Sequence, residues 1–214
     1  MPDEHRSNIA APPRDGEAAP VRRARAANPA TDAALVGVFA ALIAVLTFAP
    51  PIPVGNAGVP ITLQTLGVAL AGLTLGPWRG AAAAGLYAAL GLLGLPILAG
   101  FTGGLGALAG PSAGYLLSFP VTALVTGLIA RGVLRRTSAG WWVPLLFVAA
   151  AAGSVLVNHP MGIVGMMINM ELSFGEAFLA DIVFWPGDLA KSLVGAAAAA
   201  LIHRAFPDLL VRRR

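Results

Sequence analysis

Lys191 is the only lysine in the sequence, and it ends the stretch Phe184-Trp185-Pro186-Gly187-Asp188-Leu189-Ala190-Lys191 inside an apolar run that continues to Leu201. An ionisable side chain well inside a bilayer costs roughly 2.5–3.5 kcal/mol on insertion scales, so such residues face a cavity or each other and mark functional positions. Asp188 lies three residues before Lys191, which on a helix puts carboxylate and ammonium on one face, where each offsets the other's charge. The pair offers an acceptor and a donor to a polar ligand; it would serve equally as an ion pair that cross-links helices. Pro186 and Gly187 favour the ligand reading. They permit a break or a fresh helix start directly before Asp188, and irregular backbone at membrane depth is tolerated only against protein or a water-filled cavity.

Three more stretches bring hydrogen-bonding groups into apolar surroundings. In Val59-Pro60-Ile61-Thr62-Leu63-Gln64-Thr65, the trio Thr62, Gln64 and Thr65 stands at the entrance of an apolar helix, placed to cap it or to contact a ligand. The run from Phe101 to Tyr115 is too rich in Gly and Pro for a regular helix. It lacks the Lys-Ser/Thr of a nucleotide loop and follows no strand, so close approach of its backbone to a ligand is expected instead, around Gly104. Tyr115 adds an apolar ring with a polar tip, suited to a ligand or to an interfacial anchor. Asn158-His159-Pro160 joins two polar side chains to a helix breaker. The candidate ligand residues are therefore Asp188, Lys191, Tyr115, Gln64, Thr65, Gly104 and Asn158. His159 is read as hydrogen-bonded structure, since His5 and His203 are remote from it in the topology below. No metal site, cofactor or catalytic residue is expected: the chain has no cysteine, and Ser, His and carboxylate groups do not converge.

The elements that must position these residues are set by composition. With 57% hydrophobic and 11% charged residues and a mean hydropathy of +0.78, the chain lies outside the range of soluble domains, and an all-α integral membrane protein is expected. Its basic residues are dispersed among segment ends with no aromatic-interleaved basic surface, which argues for topology and against nucleic acid. Taking about twenty residues per span, six helices fall near 33–49, 62–77, 79–98, 114–131, 142–168 and 176–203. Residues 1–32, rich in Ala, Pro and Arg, are expected to be a disordered cytosolic tail, 33–206 the transmembrane domain, and 207–214 a basic cytosolic tail. Arg79, then Arg131, Arg135 and Arg136, then Arg204 and Arg212 to Arg214 alternate with connections that carry no Lys or Arg. By the positive-inside rule both termini are then cytosolic. The Pro- and Gly-rich connection 50–58 is expected to act as an outer lid. In the first segment Ala33, Gly37 and Ala41 recur at four-residue spacing, either a docking face for a partner helix or packing within the chain's own bundle.

The four motifs Val59 to Thr65, Gly76-Pro77-Trp78-Arg79-Gly80, Gly103 to Tyr115 and Pro186 to Lys191, in this order, resemble those of the BioY family, the biotin-specific substrate-binding subunits of energy-coupling-factor transporters. One departure is Pro111-Ser112-Ala113-Gly114-Tyr115, where the family pattern reads Pro-Thr-Gly-Gly-Tyr; serine keeps the hydroxyl. The resemblance implies a six-helix protein in the plasma membrane that binds biotin from outside and works with a transmembrane coupling subunit and two ATPase subunits. The alternative is a self-sufficient secondary transporter in which Asp188 and Lys191 exchange protons. The chain carries no Walker A pattern, so ATP-driven uptake would need hydrolysis by another protein.

Overall fold

The computed structural model describes residues 29–50, 52–53, 58–207 and 209. The expected tails beyond these bounds and most of the expected lid lie outside the described residues. Eight α-helices are seen among the described residues: α1 Pro29–Thr47, α2 Gln64–Leu75, α3 Pro77–Leu92, α4 Ala113–Arg136, α5 Trp142–Gly153, α6 His159–Asn169, α7 Phe174–Asp181 and α8 Trp185–Ala205. They fall on the six apolar segments of the sequence. One turn of π-helix at Ser154–Asn158 makes α5 and α6 one continuous stretch, and a 3-10 turn at Ile182–Phe184 joins α7 to α8. Three stretches, Pro29–Thr47, Ala113–Arg136 and Ala139–Asn169, are long and apolar enough to cross a membrane.

The two irregular turns sit where the sequence places its helix breakers. Proline has no N–H and its ring crowds the preceding turn, so Pro160 and Pro186 are accommodated in the first turns of α6 and α8. The wide turn before α6 leaves both Asn158 and His159 buried. Two boundaries differ from expectation. Helix α1 starts at Pro29 rather than 33, with Asp32 in its first turn, where proline's fixed φ and a carboxylate both favour initiation. Helix α3 stops at Leu92 rather than 98, because Gly94 takes φ +109° and Pro96 follows, neither of which continues a helix.

Helix α2 lies at the centre, packed against α1, α3, α4, α5 and α8, and is buried along most of its length. Small residues let the backbones close on one another. A side chain at Gly72 would meet the carbonyl of Ala123 on α4, and one at Gly127 would meet the Gly76-Pro77 corner between α2 and α3. Such contacts supply van der Waals packing where lipid offers no hydrophobic drive between helices. At the end of the bundle that carries the loops, Ile52–Pro53 (β1) pairs antiparallel with Pro60–Ile61 (β2). The connection from α3 to α4 folds as two 3-10 turns, Ala99–Phe101 and Leu105–Ala109. At the opposite end, Arg79 clasps Asp32 (3.2 Å), the Leu75 carbonyl (3.2 Å) and the Leu209 carbonyl (2.6 Å). On α1, Ala40 and Ile43 are buried, whereas Ala33 and Ala41 are exposed, and a side chain at Gly37 would meet nothing within 4 Å. Gly37 itself is half-buried.

Candidate ligand-binding site

A cavity of about 350 Å³ opens between the β1–β2 hairpin, the α3–α4 connection and the starts of α2, α4 and α8. This is within the range of about 300–1,000 Å³ usual for small-molecule pockets. Its outer wall is largely apolar, from Val59, Ile61, Leu98, Leu116, Phe119 and Phe184, and its polar lining includes Gln64, Thr65, Tyr115, Asn158, Asp188 and Lys191. Six of the seven residues expected at a ligand site are thus brought to one cavity from three helices and a π turn.

Gly104 is the exception. It does not line the cavity; its N–H donates to the Gly91 carbonyl (2.8 Å), and its φ of +95° sets the turn that enters the 3-10 stretch Leu105–Ala109. The loop glycines at the cavity wall are Gly100 and Gly110. Positive φ is needed where the chain reverses, so Gly104 serves the turn.

At the polar floor, Lys191 Nζ donates to Asp188 Oδ1 (2.8 Å) and Thr65 Oγ1 (3.2 Å), and Thr65 Oγ1 donates to the same carboxylate oxygen (2.9 Å). The Asp188 and Lys191 side chains are 7% and 13% exposed, so the pair is desolvated as an intramembrane ion pair must be. Asn158 Oδ1 accepts from Ser118 Oγ (2.8 Å). Ser118 Oγ is also within hydrogen-bond reach of the Tyr115 carbonyl (2.7 Å), and Asn158 lines the cavity beside it.

Behind this floor stands a second cluster that sequence reasoning missed. Asp181, fully buried, accepts from Tyr115 Oη (2.6 Å) and Trp185 Nε1 (2.8 Å), and its Oδ1 lies 2.8 Å from His159 Nδ1. The other ring nitrogen of His159 is 3.6 Å from Asp188 Oδ2. His159 is hydrogen-bonded, as expected, and it links the hidden carboxylate to the exposed-to-cavity one. The signal for Asp181 was available. It is a carboxylate in an apolar segment, seven positions before Asp188, and the cost of intramembrane charge that singles out Lys191 applies to it equally. Tyr115 reaches the cavity with its ring and spends its hydroxyl on Asp181, packing edge-on against Phe184 (centroids 6.0 Å). Asn169, also missed, holds the α3–α4 connection by donating to the Leu108 and Gly110 carbonyls (2.8 Å each).

Chemically, neutral cavity walls, a charged pair and a buttressed tyrosine match a small amphiphilic molecule bearing both donors and acceptors. Among the described residues no group of three or more His, Cys, Asp or Glu side chains is placed to hold a metal.

Comparison with known proteins places the chain among similar sequences and folds. The chain is 43% identical over 191 residues to the biotin transporter BioY of Rhodobacter capsulatus, covering 84% of this chain and 96% of that protein. It is 37% identical over 182 residues to the biotin transporter BioY of Rhizobium etli, covering 85% and 97%. A crystal structure of the S-component for biotin from an ECF-type ABC transporter shares the fold with a TM-score of 0.73, at 25% identity, over 82% of this chain and 92% of that one. The profile of the BioY family matches residues 19–208, and with it the chain belongs to the BioY family.

Proposed function

We propose that this protein captures biotin at the outer face of the cytoplasmic membrane as the substrate-binding subunit of an energy-coupling-factor transporter. The observation that carries this reading is the cavity floor, where Asp188, Lys191, Thr65 and Asn158 set an acceptor beside donors beneath apolar walls. The ureido ring of biotin has two N–H donors and one carbonyl acceptor, and its fused rings and valeryl chain are apolar up to a terminal carboxylate. The ureido head matches the mixed floor. The carboxylate, which Asp188 would repel, belongs at the other end, near the Ser112 hydroxyl and the start of α4, where N–H groups favour an anion. Gln64, Tyr115 and the apolar wall hold the middle.

Six spans with both termini cytosolic fit the arginine distribution and put the hairpin and the α3–α4 connection outside. The α1 face with exposed Ala33 and Ala41 and half-buried Gly37 suits a transmembrane coupling subunit, since small residues let a partner helix approach closely. Two ATPase subunits complete the assembly, and membrane lipid surrounds the remaining apolar surface.

Calorimetry with biotin and a phosphate-release assay on the purified chain test the central claim. Tight biotin binding without hydrolysis is expected; no detectable biotin binding, or hydrolysis by the chain alone, would refute it. Radiolabelled biotin uptake by cells expressing this chain with and without a coupling module separates it from a self-sufficient transporter, for which the Asp181, His159, Asp188 and Lys191 chain of titratable groups would provide a proton path.

A further inference from the structure

Tyr87, in the middle of α3, has no exposed surface and does not line the cavity, yet two elements of the cavity wall and the end of α1 meet at its hydroxyl. Gln64 Nε2 donates to it at 2.5 Å, it donates to the Ile97 carbonyl at 3.0 Å, and Thr47 Oγ1 lies 3.1 Å away. Gln64 is a cavity residue, and Ile97 precedes Leu98, another. Thr47 ends α1, and its neighbour Phe48 stacks on Phe101 of the same α3–α4 connection at 5.2 Å. A phenol has one hydrogen and two lone pairs: Gln64 fills one lone pair, and because the Thr47 hydroxyl gives its own hydrogen to the Ile43 carbonyl (2.8 Å), the Tyr87 hydrogen is shared between the Ile97 carbonyl and Thr47 Oγ1 as its two acceptors. Gln64 is held from its other end as well, its Oε1 accepting from Thr62 Oγ1 at 2.9 Å. One Nε2 hydrogen and one Oε1 lone pair are left to face the cavity.

We infer that Tyr87 is a positioning residue of the ligand site: its hydroxyl fixes the rotamer of Gln64, pins the outer connection at Ile97 and joins both to the last turn of α1. This rests on the reading of the cavity as the biotin site. A Gln64 amide left to rotate, and a connection left unpinned, would have to be ordered when ligand binds, and that cost appears as lost affinity.

Tyr87→Phe keeps the ring against Phe119 and removes only the hydroxyl. Biotin affinity and dissociation rate are measured for the parent, Tyr87→Phe, Gln64→Ala and the double variant, with thermal stability in detergent as the control for folding. Tyr87→Phe is expected to weaken binding by about 5- to 30-fold, the loss expected of one or two hydrogen bonds, mainly through faster dissociation. In the Gln64→Ala background the same change should cost clearly less than in the parent, because only the share that acts through Ile97 remains, the non-additivity of residues acting through one another. Thr47→Val, which removes the α1 arm of the junction, gives a milder loss in the same direction if the aromatic change unfolds the protein. Parent-like affinity in Tyr87→Phe, or an equal loss in both backgrounds, overturns the inference. Failure of the parent to bind biotin overturns the functional reading itself, so the two failures are told apart by the parent alone.

Discussion

Two carboxylates lie within reach of His159, and their surroundings give them different work. Asp188 faces the cavity beside Lys191, whereas Asp181 is sealed behind it and accepts from Tyr115, Trp185 and His159. Lys191→Ala is expected to weaken biotin binding by about tenfold to several-hundredfold, the loss of a charged hydrogen bond of roughly 1.5–3 kcal/mol. The contrast lies in a double variant. Asp188→Asn with Lys191→Gln replaces a desolvated ion pair by two neutral amides, which should recover the fold without recovering affinity. Near-parental biotin affinity in that well-folded variant, read by calorimetry, would mean that the pair is scaffolding. Asp181→Ala should do the reverse. It strands buried donors at a cost of roughly 3–5 kcal/mol, which at about 2–4 °C per kcal/mol for a chain of this size lowers Tm by about 6–20 °C. Asp181→Asn, which keeps an acceptor, should restore part of that loss, and an unchanged melting temperature in Asp181→Ala would refute the bracing role.

At the scale of elements, α1 divides its labour between two faces. Ala40, Ile43 and Thr47 are buried against the bundle, and Ala33 and Ala41 look outward. Because a side chain at Gly37 meets nothing within 4 Å, Gly37→Leu adds bulk outside the bundle and leaves internal packing alone. Gly37→Leu or Ala41→Leu is therefore expected to abolish co-purification with the coupling subunit while changing biotin affinity by less than about twofold. Equal loss of both would place this face inside the working bundle and exclude it as a docking surface. Helices α4 and α6 show the opposite design: a side chain at Gly114 would strike the Met161 carbonyl, and one at Gly162 would strike the Tyr115 ring. Glycine there lets the Tyr115 buttress stand against α6.

The whole molecule places its ligand cavity at one end and the Arg79 clasp at the other, with Arg131, Arg135, Arg136 and Arg204 also on the α3-start, α4-end and α8-end side. An orientation with both termini cytosolic makes a testable pattern. A fluorescent protein fused after Arg214 should be bright and a periplasmically active phosphatase at the same position silent, whereas a phosphatase inserted in the 50–58 connection should be active. The inverse pattern would reverse the entry side and move the cavity to the cytosol.

Local physics is legible along the chain. Hydropathy marks the apolar segments, Gly and Pro mark their interruptions, and Asp188 and Lys191 share a face because three residues is nearly one turn of any helix. The spacing of Thr62, Gln64 and Thr65 at a helix entrance was legible for the same reason. Contacts between helices emerge only on folding: Tyr87 with Gln64, Asp181 with Tyr115, and the choice of Gly100 and Gly110 over Gly104 at the cavity wall. In a soluble helix an apolar stripe would point to the core, but here helices such as α1 and α8 are apolar nearly all round, so periodicity does not say which face turns inward. Inward and outward faces are set by where glycines let backbones close and where buried polar groups find partners, and both depend on neighbours far away in the chain.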